Sequence, residues 1–188
     1  MYIYFFSESE KLVIFLTFKL HNTTNMKFLI PFLLIVFVTS MLSAQKSVPD
    51  VDVQDLEGKR VNLKEYTNQG HFTILSFWAT WCKPCKTELD AIYEIYPDWQ
   101  DEFGVELVAV SIDDSRTSRK VIPMVEQKNW PYTILTDSNQ NVQRALNFRS
   151  IPQTFLVNKE GQIIYSHNGY TPGAEYELED KMRAAMME

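Results

Sequence analysis

The stretch from Phe72 to Glu88 constrains the fold of this chain more than any other. It reads Phe-Thr-Ile-Leu-Ser-Phe-Trp-Ala-Thr-Trp-Cys-Lys-Pro-Cys-Lys-Thr-Glu. Its continuous apolar start is typical of a strand that is buried on both faces. A stripe of apolar residues at helical spacing follows, formed by Leu89, Ile92, Tyr93 and Tyr96. The stripe predicts a helix from about Cys82 towards Tyr96, which Pro97 ends or kinks.

Strand and helix patterns alternate along the rest of the chain. Strands are predicted at 105–112, 132–135, 154–157 and 162–167, and helices at 113–128, 138–147 and 174–187. A short hairpin is predicted at 51–63, around a turn at 57–59. We expect Asp113 and Asp114 to cap the second helix and Ser138 or Asn139 to cap the third. This alternation indicates an α/β fold, with a mixed central sheet flanked by helices.

Cys82 and Cys85 are the two cysteines of the chain. Their spacing places both on one helix face, where the sulfurs can form a disulfide. The free N–H groups and the dipole of a helix start favour a thiolate at Cys82, and Lys83 adds positive charge. Because the thiolate is the species that attacks a disulfide, we expect the more exposed Cys82 to attack and Cys85 to resolve the mixed disulfide.

Three other interpretations of the cysteine pair compete with redox chemistry. A structural disulfide that closes so short a loop constrains the unfolded chain little. A structural zinc site needs four ligands, whereas His71 and His167 are the other candidates and are not a close pair. Two incidental buried cysteines are the third interpretation. We expect His71 and His167 to be surface residues near strand ends, and Trp78 to lie in the core.

The first 44 residues differ from the rest of the chain. No residue from Phe28 to Leu42 is charged, Lys27 precedes this run, and Ser43 and Ala44 follow it. This is the pattern of a secretory signal peptide cleaved after Ala44, and an uncleaved anchor is the alternative. The chain is therefore divided into an upstream extension at 1–25, a signal peptide at 26–44 and a folded domain at 45–188. Export places the domain in the periplasm or elsewhere outside the cytoplasm.

Composition excludes several classes of protein. The chain is 45% hydrophobic and 13% aromatic, which is globular and unlike a disordered protein. Its formal net charge is −6, without a long basic run. Nucleic-acid binding is therefore not expected, because it depends on Lys and Arg contacts to phosphates.

Two motifs resemble a known family when they are taken together. The segment from Phe77 to Cys85 resembles the active site of thioredoxins, and Ser150 to Val157 supplies a matching Ile-Pro-Gln-Thr-Phe segment. Residues 48–187 are similar to the exported TlpA/ResA-type branch of the thioredoxin superfamily. The resemblance implies a thioredoxin-like fold with an N-terminal hairpin and an inserted strand and helix. It also implies thiol–disulfide oxidoreductase activity without a cofactor or a metal.

The resemblance also implies roles for individual residues. Cys82 matches the nucleophile, Cys85 the resolving thiol, and Pro152 a cis-proline that faces the disulfide. Glu88 matches an acidic residue that exchanges a proton with Cys85, and the alternative is an exposed helix Glu paired with Lys or Arg. Cytoplasmic thioredoxins carry a buried Asp where Ser76 stands here, so proton handling would fall to Glu88. Substrate contacts are expected from Trp81, Lys83, Pro84, Ile151 and Pro152.

The leading hypothesis is an exported, monomeric reductant of disulfides in other exported proteins. In ResA-like relatives such substrates include the haem-binding cysteines of apocytochrome c. A separate membrane or soluble electron donor would reload the cysteines. The same motif occurs in cysteine pairs that reduce disulfides and in pairs that form or isomerise them. The direction of electron transfer between the cysteines and the substrate therefore stays open.

Alternatives from other classes depend on details of the motif. Peroxiredoxins resemble one another in a Thr three residues before the attacking Cys, where Ala79 stands here. A copper-delivery module would use Cys82, Cys85 and a distal His such as His167, but copper chaperones of this fold share a CxxxC spacing. A role in holding substrates, with only occasional turnover of the disulfide, is the last alternative.

Overall fold

A computed structural model describes residues 46–187 of the chain. Its seven strands are β1 (Asp52–Gln54), β2 (Arg60–Asn62), β3 (Thr73–Trp78), β4 (Glu106–Ser111), β5 (Thr133–Thr136), β6 (Gln153–Val157) and β7 (Ile163–Asn168). Its four α-helices are α1 (Lys83–Phe103), α2 (Val121–Lys128), α3 (Asn141–Leu146) and α4 (Ala174–Ala185). Two short 3-10 helices lie at Leu63–Tyr66 and Ser118–Lys120.

All seven strands belong to one mixed sheet in the order β2-β1-β5-β4-β3-β6-β7. The central strands β3, β4 and β5 are parallel. The hairpin of β1 and β2 joins one side of them, and β6 and β7 join the other, in antiparallel pairing. The predicted α/β fold is confirmed, and β3 is buried along its whole length as expected. Strand β4, helix α2 and strand β5 follow α1, in the region where the inserted strand and helix were expected.

Helix α1 is longer than predicted. It runs through Pro97 to Phe103 and ends at Gly104, whose φ of 61° is the left-handed cap conformation. The helix does not end at Pro97, so that part of the prediction is wrong. Beyond the proline, Trp99 and Phe103 continue the buried stripe, so tertiary packing outweighs the hydrogen bond that Pro97 does not make. Tyr93 is 37% exposed and does not belong to that stripe.

The predicted starts of the next two helices are also wrong. Helix α2 begins at Val121, after the 3-10 turn, and Asp113 does not cap it. Helix α3 begins at Asn141, and the cap is Asp137 rather than Ser138 or Asn139. The Asp137 carboxylate accepts hydrogen bonds from the backbone N–H groups of residues 141, 142 and 143. Asp137, which directly follows β5, thereby satisfies three helix N–H groups that have no partner within the helix.

The two faces of the sheet are covered by different elements. Trp99 of α1 donates a hydrogen bond to Glu179 of α4, which joins these helices on one face. On the other face, Phe77 of β3 packs against Phe148, which follows α3, at 4.6 Å between ring centroids. Strand β3 is therefore covered on both of its faces, and α1 begins shortly after it.

Residues 1–45 and 188 lie outside the described part of the chain, and so do the predicted upstream extension and signal peptide. Within residues 46–187, no helix is both long enough and apolar enough to cross a membrane.

Candidate functional site

The cysteine pair lies at the start of α1. Cys82 is the residue that precedes the helix, with extended backbone angles, and Cys85 lies within the first turn. The two are joined in a disulfide, with 5.4 Å between their Cα atoms. Cys82 is 5% exposed and Cys85 is fully buried, which is the order expected for an attacking and a resolving thiol.

The surroundings of Cys82 favour a negatively charged sulfur. The backbone N–H of Cys85 donates a hydrogen bond to Cys82 Sγ at 3.3 Å, so the sulfur takes the position of a helix-capping acceptor. Lys86 reaches back and donates to the carbonyl oxygen of Thr80 at 2.8 Å, which holds a positive charge beside this turn. Lys83 is exposed. A helix N-terminus and nearby lysines are features that favour a thiolate, and the attacking role of Cys82 stays a prediction.

Asp113 holds the loop that leads into the cysteines. Its buried carboxylate accepts hydrogen bonds from the Thr80 backbone N–H at 2.8 Å and from the Thr80 hydroxyl at 2.7 Å. The Ser111 hydroxyl donates to the same carboxylate at 2.8 Å. Asp113 was expected to be a helix cap. It ties the end of β4 to the loop between β3 and α1 because both loops leave the same edge of the parallel strands.

Glu88 lies one turn beyond Cys85 and is 1% exposed. Its Oε1 accepts a hydrogen bond from the Thr154 hydroxyl at 3.0 Å and lies 2.6 Å from Nε2 of His167. The alternative of an exposed Glu paired with Lys or Arg is therefore wrong. The position follows from the helix period, because Glu88 and Leu89 together occupy the buried stripe of α1.

His167 is not the surface residue that was expected. It stands near the end of β7, as predicted, but its side chain is only 15% exposed. His71, the other histidine expected at the surface, is likewise mostly covered, with its side chain 21% exposed and 3.7 Å between its Nε2 and Oε2 of Glu106.

Strand register explains how the polar side chains meet. Thr154 of β6 is paired with Ser76 of β3 on one side and with His167 of β7 on the other. Residues directly opposite one another in neighbouring strands point to the same face of a sheet. Ser76, Thr154 and His167 therefore form a polar row under α1, and Glu88 reaches the row from above. The acidic group comes from the helix here, whereas thioredoxins with an Asp at the position of Ser76 would supply it from the strand.

The Ile151–Pro152 peptide bond is cis, as the resemblance implied. Asn168 of β7 supports the loop before β6. Its side-chain amide donates to the carbonyl oxygens of Ser150 at 2.9 Å and Pro152 at 3.3 Å. The backbone N–H of Gly169 also donates to the Pro152 carbonyl oxygen, at 2.8 Å. The loop is therefore fixed to the end of β7.

The expected substrate-contacting residues differ in exposure. Trp81 is 62% exposed, Lys83 and Pro84 are exposed, Ile151 is half-buried, and Pro152 is buried. Trp81 forms one wall of a groove whose other lining residues are Ile112, Asp114, Arg116, Thr117 and Gln140. An exposed indole beside an attacking cysteine is suited to contact another protein, and the substrate-binding role of these residues stays a prediction.

The copper alternative requires a third ligand beside the two sulfurs. Across residues 46–187, no three His, Cys, Asp or Glu side chains come together in an arrangement that could hold a metal ion. In this part of the chain His167 is engaged with Glu88, so the proposed distal ligand is already bound to a carboxylate.

Comparison with known proteins identifies the family. A family model described as the AhpC/TSA family matches residues 44–166. The chain belongs to the AhpC/TSA family. This family member is 34% identical over 124 residues to the thiol-disulfide oxidoreductase ResA of Bacillus thuringiensis subsp. konkukian (strain 97-27). That alignment covers 66% of this chain and 69% of the relative.

Solved structures of thioredoxin-like proteins are also similar to this chain. An uncharacterized thioredoxin-like protein from Porphyromonas gingivalis is 47% identical, with a TM-score of 0.66, and the match covers 73% of this chain and 90% of that one. StoA from Bacillus subtilis is 27% identical, with a TM-score of 0.55, and covers 69% of this chain and 98% of its own. The expected thioredoxin-like fold and ResA-type relationship are confirmed.

The cysteine pair, the thioredoxin-like fold and these relatives together identify a thiol–disulfide oxidoreductase. The peroxidase alternative depends on a Thr three residues before the attacking Cys, and Ala79 stands there. Sequence reasoning missed Thr154, Asp113 and the contact of His167 with Glu88. Thr154 belongs to the Ile-Pro-Gln-Thr-Phe segment, but its strand partners depend on register, which the local sequence does not reveal.

Proposed function

We propose that this protein is an exported reductant of disulfides in other exported proteins. The observation that carries the proposal is the arrangement at the start of α1. Cys82 lies at the helix N-terminus beside an exposed Trp81, Cys85 is buried behind it, and a buried Glu88 lies one turn further along. Dithiol exchange requires an attacking thiol, a more protected resolving thiol and a nearby proton acceptor, and Cys82 is the more exposed of the two cysteines.

The reaction takes place in two displacements. The Cys82 thiolate attacks one sulfur of the substrate disulfide, and the other substrate sulfur leaves as a thiolate and takes up a proton. The Cys85 thiol then loses its proton to Glu88, and its sulfur attacks Cys82 Sγ. The bond between Cys82 and the substrate breaks, the second substrate thiolate leaves, and two electrons have passed from the enzyme to the substrate.

Export and partners follow from the sequence and the resemblance. The signal-peptide pattern at 26–44 supports a location in the periplasm or elsewhere outside the cytoplasm, with membrane anchoring as the alternative. Both cysteines of this sequence are used in the exchange, and we propose that a separate membrane or soluble protein returns the electrons. The name of the Bacillus relatives supports thiol–disulfide chemistry, and we extend it to substrates such as apocytochrome c. One chain holds the complete site, so we propose that a monomer acts.

The reduction potential of the Cys82–Cys85 pair is the deciding measurement. Equilibration with glutathione or dithiothreitol should give a value near or below about −230 mV, which is the range of reducing thioredoxins. A value between about −120 and −180 mV would instead identify an oxidant or isomerase and would exclude the cytochrome-maturation role.

Two variants test the assignment of the thiols. Cys82→Ser should abolish disulfide reduction, whereas Cys85→Ser should accumulate mixed disulfides that link Cys82 to substrate proteins. Full reductase activity in Cys82→Ser would disprove the mechanism.

A further inference from the structure

The contact between Glu88 and His167 joins two titratable side chains inside the protein. Glu88 is 1% exposed, and only 15% of the His167 side chain is exposed. Their facing atoms, Oε1 and Nε2, are 2.6 Å apart. The dithiol exchange described above does not use the His167 imidazole, although this ring contacts Glu88, the proposed proton acceptor.

Proton counting limits the states of this pair. At 2.6 Å an imidazole nitrogen and a carboxylate oxygen cannot both present lone pairs, so at least one proton lies between them. The Thr154 hydroxyl donates to the same Oε1 at 3.0 Å, which favours the ionised carboxylate. An imidazolium at His167 would give a buried carboxylate a positive partner. The other ring nitrogen, Nδ1, is buried and has no hydrogen-bond partner among the described residues. The contacts on Oε1 therefore hold the Glu88 side chain in place through His167 and Thr154.

The second oxygen of Glu88 has no hydrogen-bond partner among the described residues and is free to accept a proton. Glu88 Oε2 is buried and accepts no hydrogen bond from the described residues. Cys85 precedes Glu88 by three positions, a spacing that puts neighbouring side chains on one helix face. In the disulfide state Cys85 carries no thiol hydrogen, so this donor is missing until the pair is reduced.

We propose that His167 is a positioning residue of the exchange reaction, which holds Glu88 as the carboxylate that receives the proton of the Cys85 thiol. The inference rests on the proposed function and extends it to a residue on another strand. When Cys85 loses its proton, Oε2 takes it, and the Cys85 sulfur is free to attack Cys82 Sγ. The proton then leaves to solvent or to the departing substrate thiolate, and Glu88 returns to the carboxylate state beside His167.

Other charged and titratable groups surround the pair. They are Tyr165 on β7, Tyr170 after it, and Glu175, Glu177 and Lys181 on α4. Burial, aided by a neighbouring Glu in each case, raises the pKa values of Tyr165 and Tyr170 to about 12, so both stay neutral at physiological pH. Tyr170 donates a hydrogen bond to Glu175, and Lys181 lies 5.5 Å from the centre of the Tyr165 ring.

The test is the pH dependence of disulfide reduction by His167→Gln. The full-length reduced protein is mixed with a disulfide-bonded peptide, and the rate of peptide-thiol release is measured across the pH range. Gln keeps an amide donor near the position of Nε2 but cannot carry the positive charge. The acid limb of the rate profile is its low-pH side, where the rate falls as the pH is lowered. We expect this limb to shift to higher pH by about one unit, so that the rate at a given pH on the limb falls about tenfold. At alkaline pH the two rates should converge.

Matched variants separate this effect from a structural defect. His71→Gln replaces the other histidine of the described chain and should leave the profile unchanged. Thr154→Val removes the other donor to Oε1 and should move the acid limb in the same direction, which keeps the proposal testable if His167→Gln does not fold. Glu88→Gln should abolish the limb and lower the rate by about a hundredfold or more.

The outcomes distinguish this inference from the proposed function. A His167→Gln profile that is unchanged, or that is lowered by the same factor at every pH, would overturn the role of His167 while disulfide reduction by the wild type stands. A wild-type protein that reduces no disulfide peptide at any pH would overturn the proposed function itself.

Discussion

Replacement of Asp113 should destabilise the protein, although this residue touches neither cysteine. Its carboxylate is 1% exposed and accepts hydrogen bonds from three donors. Two of these donors belong to Thr80, two residues before Cys82, and the third is the Ser111 hydroxyl at the end of β4. We compare Asp113→Ala, which removes all acceptors, with Asp113→Asn, which keeps one oxygen.

The donors respond differently to the loss of the carboxylate. The hydroxyls of Thr80 and Ser111 can rotate towards other acceptors, but the backbone N–H of Thr80 cannot. A hydrogen bond to a charged group contributes about 1.5–3 kcal/mol, and a buried donor without a partner costs about 1–3 kcal/mol. We therefore expect Asp113→Ala to lower the free energy of unfolding by about 3 kcal/mol or more. Asp113→Asn can keep the N–H bond and should lose about 1 kcal/mol.

Urea unfolding measures both variants, and amide hydrogen exchange at Thr80 reports on the loop directly. The exchange rate of the Thr80 amide should rise in Asp113→Ala well beyond the change expected from global stability. Asp114→Asn is the matched control, because this neighbouring carboxylate binds the exposed Arg116, and its unfolding midpoint should stay close to that of the wild type. If Asp113→Ala unfolded at the wild-type midpoint, the stabilising role of the Asp113 hydrogen bonds to Thr80 and Ser111 would be refuted.

Three further predictions concern binding and stability. Trp81→Ala should raise the Michaelis constant for a disulfide peptide without changing the unfolding midpoint, because Trp81 is 62% exposed; an unchanged Michaelis constant would contradict its substrate role. Tyr132 donates to the Leu89 carbonyl oxygen at 2.9 Å, and burial raises its pKa. The folded protein therefore holds this proton more tightly than the unfolded chain, and stability falls as the pH rises above about 10. Tyr132→Phe should cost about 1 kcal/mol at neutral pH and lessen that alkaline loss in urea titrations. Asn168→Ala should lower the unfolding free energy by about 1 kcal/mol, because the loop around Pro152 loses its amide donors; an unchanged thermal midpoint would contradict this.

The parts of the site that are close in sequence were predictable. A buried strand followed directly by Trp81 and Cys82, and then by an amphipathic stripe, predicted the strand, the helix and the pairing of the two sulfurs. These features depend on interactions within a few residues, such as the helix dipole and the three-residue spacing. The resemblance added the cis-proline, which local propensity does not favour.

The end of α1 was not predictable in the same way. Propensity alone ends a helix near Pro97, but Trp99 and Phe103 bury their rings against the rest of the domain. The free energy of this packing exceeds the cost of a missing backbone hydrogen bond. The same limitation applies to Asp113, whose partner Thr80 was set by where neighbouring loops leave the sheet.

The sequence by itself determined the class of fold and the thiol chemistry, because strand and helix periodicity and the Cys82–Cys85 spacing are local properties. Only the tertiary structure decided the surroundings of Glu88. His167 lies 79 residues further along the chain, and it reaches Glu88 because the register of β7 on β6 aligns it with Thr154. Strand register is set by the hydrophobic faces of the whole sheet. For that reason a histidine that looked like a surface residue in the sequence lies beneath the active-site helix in the folded protein.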